Sequence, residues 1–470
     1  MFHVKHSSPH LLLINPWITD FAAYNFWIKP LGLLYVASFL RARGFRITLL
    51  DCLEFCTKRK VYGDGKFHKT FIEKPEPIKS IPRNYGQYGA PEQDIMDQLL
   101  SLQKPDLIAI TSSMTYWYPG VFKAIEITKK LFKKVPIILG GIYATLCYEH
   151  ANKYSGADYI VAGRGELKAL ALASELVGLE NPSRQTDAEP HRGEEAGKKR
   201  RLCGAHDHFS NDPDLDLLPH PCFELYPSLD YVCILTSSGC PLHCSYCATP
   251  VMVHDFRRRN PFNVIHEIQH WTTQHSVRNI AFYDDALLID PSSHIVHILR
   301  EILRKGIRCN FHAPNGLHVR EVDEEVADLL FKCQFKTIRL GFETSNESMQ
   351  RESGGKVNNE EFQRSIRNLR RAGYSKEDIG VYVMAGLPGQ RVEEVRESIA
   401  FVKEVGAKPM LVEYSPIPNT PLFEKAKKMS QFDLENEPLF HNNSILPCQW
   451  DGFTMEDFKQ VKREIRQSLQ

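Results

Sequence analysis

The strongest constraint on the fold is a regular alternation of short apolar runs and amphipathic stretches along most of the chain. Downstream of Tyr231, helix-like stretches separate six strand-like runs, at 231–237, 278–284, 308–314, 336–343, 379–385 and 410–415. Strands that alternate with helices form parallel sheets, and six such units predict a partial (β/α)6 barrel. The active site of a barrel lies at the carboxyl ends of its strands.

A similar alternation begins near the amino terminus, between Leu11 and Gly163. It predicts a separate parallel sheet that is doubly wound, with helices on both faces. Residues 57–93 are rich in Lys, Pro, Gly and Tyr and have no clear period, so we interpret them as an insertion or a long loop.

These segments predict an α/β protein of more than one domain, as expected for a chain of 470 residues. Residues 181–216 are dominated by charged residues, Gly and Pro and cannot bury enough apolar surface to fold alone. We interpret them as a polar linker with a solvated basic run at 198–201. The predicted organisation is a doubly wound domain at 8–180, this linker at 181–216, a partial barrel at 217–424 and a small helical carboxyl-terminal extension at 425–470.

Charge and hydropathy argue against several classes of protein. The 58 basic and 57 acidic side chains give a formal net charge of +1, which provides no reason to expect a nucleic-acid partner. The apolar stretches fall short of the roughly 20 residues that span a bilayer, and the first residues lack the apolar core of a signal peptide. Most of the twelve cysteines are scattered, which is typical of reduced thiols. We therefore expect a cytoplasmic protein with no membrane contact.

Three cysteines, in contrast, lie close together directly after the first barrel strand. Cys240, Cys244 and Cys247 form a CxxxCxxC spacing in a loop. Three thiolates from one loop can hold three corners of a cubane 4Fe-4S cluster and leave the fourth iron without a protein ligand. A structural zinc site is the alternative, but zinc prefers four closed ligands, no second cysteine pair follows, and His243 lies directly beside Cys244. The spacing therefore predicts a 4Fe-4S cluster with one open iron.

Five further features occur at the ends of the predicted strands: Phe282–Asp285, Asn315–Leu317, Gly341–Thr344, Gly386–Gln390 and Pro416–Thr420. With these features the chain resembles the radical S-adenosylmethionine (SAM) superfamily over residues 217–423. The resemblance implies that SAM chelates the open iron through its amino and carboxylate groups. It also implies that an electron from the cluster cleaves SAM to a 5'-deoxyadenosyl radical.

Acidic side chains at two strand ends are the expected polar contacts of SAM. Asp284 and Asp285 end the second barrel strand, where a carboxylate can accept hydrogen bonds from the methionine ammonium group. Capping of the next helix is their alternative role. By resemblance, Glu343 at the end of the fourth strand accepts hydrogen bonds from the ribose hydroxyls, and a salt bridge to Arg339 or Arg257 is its alternative role.

Three further positions are expected near the adenine of SAM. Gly386 and Gly389 bracket a tight turn after the fifth strand, where missing side chains allow the backbone to approach closely. An ordinary turn uses Gly and Pro as well. Tyr246, which lies between two of the cysteines, is expected to cover the adenine with its ring.

The amino-terminal sheet carries four characteristic pieces, at 29–34, 105–112, 136–141 and 158–166. With these pieces the chain resembles the radical SAM subgroup that has an amino-terminal cobalamin-binding domain. The resemblance implies a corrin at the carboxyl edge of this sheet, which is where doubly wound sheets bind ligands. The candidate contacts are Ser112, Met114, Thr115, Gly140, Gly141, Gly163, Gly165 and Glu166.

One motif of many cobalamin proteins is absent from the chain. No Asp-x-His-x-x-Gly sequence follows the first strand, where Pro16, Trp17, Asp20 and Trp27 stand instead. We therefore expect a corrin without an axial histidine from the protein. A degenerate sheet that only dimerises or shields the barrel is the alternative.

Together these features predict an enzyme that transfers a methyl group, with the help of cobalamin, to an unactivated carbon or phosphorus. A small molecule or a peptide is the expected substrate, and a reductase such as flavodoxin or ferredoxin is the expected electron donor. The alternatives are a radical rearrangement or cyclisation, a methylthiotransferase and a non-catalytic sensor. The spacing of Cys52, Cys56 and Cys147 does not match the second cluster of methylthiotransferases, and no output domain of a sensor is evident. The sequence identifies neither the substrate nor a catalytic residue.

Overall fold

The computed structural model describes residues 8–179 and 213–467. They form two compact units. The first unit is made of the described residues up to 25 together with 30–59 and 65–228, and the second takes 26–29, 60–64 and the chain from 229 onward. Most of the predicted linker, with its basic run, lies outside the described residues.

The described part of the first unit contains a five-stranded parallel sheet. Its strands are β1 His10–Asn15, β2 Arg46–Asp51, β3 Leu107–Ile110, β4 Ile137–Leu139 and β5 Tyr159–Ile160. They lie in the order β5-β4-β3-β1-β2. Every residue of β1, β3 and β4 is buried, as expected for parallel strands with helices on both faces.

The order of the sheet reverses at β1, which pairs with both β2 and β3. Doubly wound sheets bind ligands beyond the carboxyl ends of the strands at such a point. The fold prediction for this domain is confirmed. Its helices are α1 Leu31–Arg41, α2 Glu92–Ser101, α3 Tyr118–Leu131, α4 Ile142–Leu146, α5 Tyr148–Tyr154 and α6 Glu166–Val177.

The segment interpreted as an insertion or long loop has short strands of its own. Ile18–Asp20, Gly86–Tyr88 and Lys69–Phe71 form a small antiparallel sheet, and a second antiparallel pair joins Cys56–Arg59 to Gly65–Phe67. A plain loop is therefore wrong for this segment. Strands of three or four residues are too short to produce a visible period in the sequence.

The second unit contains the predicted partial barrel. Its strands are β6 Val232–Ile234, β7 Asn279–Phe282, β8 Asn310–His312, β9 Phe335–Glu343, β10 Ile379–Ala385 and β11 Lys408–Glu413. They pair in parallel and in chain order from β6 to β11. This order confirms the (β/α)6 prediction and places the strand ends that carry the candidate residues along one edge.

Helices lie between these strands in the chain and follow the last strand. They are α7 Thr249–Met252, α8 Pro261–Gln269, α9 Ile295–Arg304, α10 Glu324–Lys332, α11 Glu347–Glu352, α12 Asn359–Ala372, α13 Val392–Glu404, α14 Pro421–Met429 and α15 Met455–Gln467. In the part of the chain that the structure describes, no helix combines the length and the apolar character needed to cross a bilayer.

Aromatic packing fixes the position of β9. Phe342 of β9 stacks on Phe362 of α12, with ring centroids 4.1 Å apart, and lies 5.9 Å from Phe401 of α13. A capping box between Asn358 and Glu361 defines the start of α12. Because these helices hold Phe342 on the outer face, the carboxyl end of β9 has a defined position.

Two short segments from the amino-terminal part of the chain pack inside the second unit. The ring of Trp27 stacks on His312 at the end of β8, with centroids 4.3 Å apart, and its Nε1 donates to the carbonyl oxygen of Tyr62 at 2.8 Å. The thiol of Cys233 donates to the carbonyl oxygen of Trp27 at 2.8 Å. Trp27, which stands where the sequence lacks a cobalamin motif, therefore belongs to the barrel unit.

Candidate functional site

The loop that carries the three cysteines follows β6 and is held by contacts along its length. Gly239 has a φ of +79°, and a Cβ there would lie 2.9 Å from the carbonyl oxygen of Asp255. The amide of Ser245 donates to the carbonyl oxygen of Ser353 at 3.1 Å. The amide of Leu422 donates to the carbonyl oxygen of Ser245 at 2.9 Å. A short loop without regular structure thereby has a defined path.

The three loop cysteines are free, partly buried thiols that influence one another. Burial, reinforced by the charges of Cys244 and Cys247, raises the pKa of Cys240 to about 11. Burial also raises the pKa of Cys244, although the charge of Lys356 opposes it. Cys240 and Cys244 are therefore protonated in the metal-free loop at neutral pH, and binding of iron releases their protons.

The chemistry of these donors fits a 4Fe-4S cluster. Within the described residues, no three Cys, His, Asp or Glu side chains surround a single point as one metal ion requires. A cubane instead takes one thiolate at each of three separate corners, and three thiols on one loop can supply them. In that arrangement Cys240, Cys244 and Cys247 would hold three irons, and the fourth would be open.

Asp284 and Asp285 follow β7 and differ in their surroundings. Oδ1 of Asp284 accepts hydrogen bonds from the amide and hydroxyl of Thr236, at 2.9 and 2.7 Å, and from the hydroxyl of Ser237 at 2.7 Å. Its buried Oδ2 has no hydrogen-bond partner within the described structure. Asp284 thus connects the end of β7 with the segment that leads from β6 into the cysteine loop. Its Oδ2 can still accept a hydrogen bond.

Asp285 is an exposed residue. Partial desolvation of its carboxyl group, followed by the charge of Asp284, raises the pKa of Asp285 to about 6. The group is therefore mostly ionised at neutral pH. The two carboxyl groups lie together at the end of β7, and their contact with the ammonium group of SAM stays a prediction.

Glu343 ends β9 in a strained conformation, with a φ of +70°. Its Oε1 accepts a hydrogen bond from Nζ of Lys356 at 2.7 Å, and the two side chains are only 10% and 17% exposed. Burial lowers the pKa of Lys356, but the charges of Glu343 and Cys244 outweigh it and leave the pKa raised. The ion partner of Glu343 is therefore Lys356, not the Arg339 or Arg257 considered from the sequence.

Tyr246 connects this ion pair with the cysteine loop. Its hydroxyl donates to Oε1 of Glu343 at 3.3 Å. Its ring packs beside an apolar cluster together with Met349, Met384 and Leu422. An aromatic ring that lies beside an apolar cluster and a carboxylate suits a nucleoside, whose base is apolar on its faces and whose ribose is polar. The predicted adenine contact of Tyr246 is compatible with this surrounding.

The turn after β10 is built around Gln390. The buried side chain of Gln390 accepts from the amide of Gly386 at 2.9 Å and donates to the carbonyl oxygen of Met384 at 3.0 Å. Gly386 and Gly389 have φ values of +85° and +87°, which favour glycine. A Cβ at Gly386 would also lie 2.7 Å from Cδ1 of Leu446 in the extension. The turn itself therefore explains both glycines, and their approach to adenine stays a prediction.

In the first unit, Ser112 links the ends of β3 and β4. Its hydroxyl donates to the carbonyl oxygen of Gly140 at 2.6 Å and accepts from the amide of Ala144 at 3.2 Å. A Cβ at Gly141, whose φ is +96°, would lie 2.2 Å from the carbonyl oxygen of Ser112. A Cβ at Gly140 would meet no atom closer than 3.6 Å. The protein itself thus requires glycine at 141, whereas Gly140 leaves space.

The next candidates lie along the same strand ends. The hydroxyl of Thr145 donates to the carbonyl oxygen of Gly141 at 2.8 Å and accepts from the amide of Gly163 at 2.9 Å. Glu166 begins α6 and pairs with Arg164 at 2.9 Å, with both side chains largely buried. Thr145 therefore joins Gly141 to Gly163, while the carboxylate of Glu166 is already paired with Arg164.

The remaining three candidates are Met114, Thr115 and Gly165. Met114 and Thr115 lie just beyond β3; the side chain of Met114 is 46% exposed, whereas Thr115 is buried. A Cβ at Gly165 would lie 3.2 Å from a methyl group of Val36. Met114 is thus accessible for a ligand at the carboxyl edge of the sheet, and contact of these three residues with a corrin stays a prediction.

Sequence reasoning assigned no role to Lys356, Gln390 or Thr145, although these side chains hold the predicted residues in place. Lys356 follows two glycines and Thr145 lies in a short helix, so neither stands out by period or spacing. Gln390 closes the motif Gly386–Gln390, which is the one available signal.

Two family models match separate parts of the chain. The model described as "Radical SAM superfamily" matches residues 234–402, and the model described as "B12 binding domain" matches residues 84–173. The first match contains the cysteine loop, Asp284 and Glu343. The second contains the candidate corrin contacts from Ser112 to Glu166.

Two curated proteins illustrate the range of the relatives. The chain is 22% identical to cytidylyl-2-hydroxyethylphosphonate methyltransferase of Streptomyces wedmorensis, over 94% of this chain and 87% of the relative. It is 26% identical to the anaerobic magnesium-protoporphyrin IX monomethyl ester cyclase of Cereibacter sphaeroides, over 71% of this chain and 55% of the relative.

One solved structure has the same fold over most of this chain. The radical SAM methyltransferase TsrM of Kitasatospora setae, determined with cobalamin and a [4Fe-4S] cluster bound, superposes with a TM-score of 0.64 and 18% identity. The match covers 91% of this chain and 76% of TsrM. TsrM has also been determined with a tryptophan substrate and an aza analogue of SAM bound.

Substitution of Gly141 by Ala is expected to destabilise the first unit, whereas Gly140→Ala should have little effect. At Gly141 the positive φ alone costs about 1–3 kcal/mol, and the added Cβ also collides with the backbone of Ser112. Thermal and urea unfolding of the two variants measures the difference. Equal unfolding midpoints would contradict the assignment of Gly141 to the internal packing of the sheet.

Substitution of Glu343 by Ala is expected to weaken SAM binding by about 1–3 kcal/mol, because the ribose hydroxyls of SAM would lose the carboxylate that accepts their hydrogen bonds. Isothermal titration of SAM into the anaerobically reconstituted protein measures this change, and the iron content should stay constant. Glu352→Ala, which removes an exposed glutamate of α11, is the matched control. If both variants bind SAM like the parent protein, Glu343 has a structural role only.

Proposed function

The chain is a radical SAM protein with an amino-terminal B12-binding domain, and we propose that it is a cobalamin-dependent methyltransferase that acts on an unactivated carbon or phosphorus. The observation that supports this most is the presence, in one chain, of a three-cysteine loop at the carboxyl end of a barrel strand and a sheet that matches the B12-binding model. A relative named as a phosphonate methyltransferase aligns with 94% of the chain.

The barrel residues have distinct tasks in this proposal. Asp284 and Asp285 offer carboxylate oxygens to the ammonium group of SAM, and Asp284 has an unpartnered oxygen available. Glu343 accepts hydrogen bonds from the ribose, while Lys356 holds that carboxylate in place. Tyr246 covers the base. The cluster supplies the electron that cleaves SAM, and cobalamin, when bound, carries the methyl group.

The proposed reaction consumes SAM in two ways. One SAM gives up its methyl group and leaves as S-adenosylhomocysteine. A second SAM takes an electron and yields methionine and a 5'-deoxyadenosyl radical, which removes a hydrogen atom from the substrate and becomes 5'-deoxyadenosine. The substrate radical then receives the methyl group. The whole cycle would need two electrons, which a reductase of the flavodoxin or ferredoxin type would supply.

The surroundings of the enzyme follow from this chemistry. A 4Fe-4S cluster with an open iron requires a reducing compartment, so we place the enzyme in the cytoplasm, where its cysteines stay reduced. The described cysteine side chains are free thiols. We propose a small molecule as substrate, because the relative TsrM has been determined with tryptophan, and we expect no nucleic-acid partner.

Radical cyclisation without methylation is the second candidate function. It is favoured by the similarity to magnesium-protoporphyrin IX monomethyl ester cyclase, which extends over 71% of this chain. The two candidates share the cleavage of SAM and differ in whether the methyl group of SAM moves to cobalamin.

The test uses anaerobically reconstituted protein with hydroxocobalamin, SAM carrying a CD3 methyl group, and a chemical reductant. We expect about four irons and four sulfides per chain, 5'-deoxyadenosine as a product, and the CD3 label in the cobalamin fraction by mass spectrometry. Cys240→Ala, Cys244→Ala and Cys247→Ala should each abolish 5'-deoxyadenosine formation. Cys147→Ser, at a partly exposed cysteine of the first unit, is the control and should retain it.

Each outcome of this test separates the candidates. Formation of 5'-deoxyadenosine without label in cobalamin would contradict methyl transfer and support cyclisation or rearrangement. Cleavage of SAM by a variant that lacks all three loop cysteines would contradict the cluster assignment itself.

A further inference from the structure

His318 lies beside the cysteine loop although it belongs to a different part of the barrel. It follows the segment Asn315–Leu317, which runs along β9. The amide of Leu317 donates to the carbonyl oxygen of Arg339 at 2.8 Å, and the amide of Gly341 donates to the carbonyl oxygen of Leu317 at 3.2 Å. These bonds fix the backbone next to His318 against β9.

The imidazole of His318 is in contact with one cysteine. Its Nε2 lies 3.9 Å from Sγ of Cys240, a distance suitable for a hydrogen bond to sulfur. Its Nδ1 is buried and has no hydrogen-bond partner in the part of the chain that the structure describes. The proton position on a histidine ring is set by the bond that the other nitrogen makes. Because nothing here holds a proton on Nδ1, the ring can carry it on Nε2.

One hydrogen can bridge the contact between Nε2 of His318 and Sγ of Cys240. In the metal-free protein either the thiol or the ring can donate across this contact. A thiolate bound to iron has no hydrogen, so only the ring can donate to it.

We propose that Nε2–H of His318 donates a hydrogen bond to the sulfur of Cys240 in the assembled cluster and raises the reduction potential of that cluster. The inference rests on the proposed function, since it needs the cluster that the loop is proposed to hold. Reduction adds a negative charge that is shared by the sulfurs, and a hydrogen bond to sulfur stabilises the reduced state more than the oxidised one. His318 is thus a positioning residue that makes the first electron transfer easier.

Redox titration monitored by electron paramagnetic resonance (EPR) tests the proposal on the reconstituted protein. His318→Phe removes the donor and keeps a planar ring. We expect it to shift the reduction equilibrium about tenfold towards the oxidised cluster, which corresponds to about 59 mV for a one-electron couple. His318→Gln retains an N–H at a similar position and should shift it less. His243→Phe removes an exposed histidine next to Cys244 and should leave the potential unchanged.

Protein labelled with 15N-histidine provides a second measurement that does not depend on the folding of the Phe variant. Pulsed EPR of the reduced cluster should show a weak 15N coupling that is lost in labelled His318→Gln. Absence of this coupling in the parent protein would overturn the proposal. A strong coupling typical of a histidine bound directly to iron would overturn it as well.

The outcomes also distinguish this inference from the proposed function. If the parent protein holds a cluster and cleaves SAM, but His318→Phe has the same midpoint potential, only the role of His318 is wrong. If the parent protein holds no cluster, the proposed function fails and this inference fails with it.

Discussion

The chemistry of the second unit depends on the hydrogen bonds that hold the cysteine loop through Ser245. This residue lies between two of the cysteines, and its backbone bonds to Ser353 at the end of α11 and to Leu422 at the start of α14. Close packing adds to these bonds, since a Cβ at Gly354 would lie 3.1 Å from Cα of Cys244. Elements far apart in sequence thus determine whether three thiols can meet one cluster.

The buried ion pair of Glu343 and Lys356 is the second constraint on the site. A buried pair gains little net stability because both charges lose water, and the loss of one partner costs about 3–5 kcal/mol. Glu343 in addition has a positive φ, which is unfavourable for a side chain other than glycine. The packing of Phe342 between helices holds the strand in this state. Backbone strain of this kind is typical of residues at ligand-binding sites.

The alternation of strands and helices and the cysteine spacing could be predicted because both are local properties of the sequence. The parallel order of β6 to β11 follows from them. The partner of Glu343 could not be predicted, because Lys356 reaches it across a turn and a short helix, and only the folded backbone brings them to 2.7 Å. For the same reason, no feature of the sequence indicates that Trp27 packs on His312.

Glycines illustrate a similar limit. A glycine at a strand end indicates that another group lies close to its backbone, but the sequence does not identify that group. At Gly141 the neighbour is the backbone of Ser112, and at Gly386 a side chain of the extension contributes. Ligand contacts assigned to glycines from sequence alone therefore need a comparison with positions such as Gly140, where the structure leaves space.

The central claim is that three cysteines hold a cluster whose fourth iron is left for SAM. Mössbauer spectroscopy of protein reconstituted with 57Fe, recorded before and after addition of SAM, tests it most directly. The account predicts a 4Fe-4S spectrum in which the signal of one iron site changes on addition of SAM while the others stay constant. A spectrum that SAM leaves unchanged, or one of isolated iron ions, would contradict it.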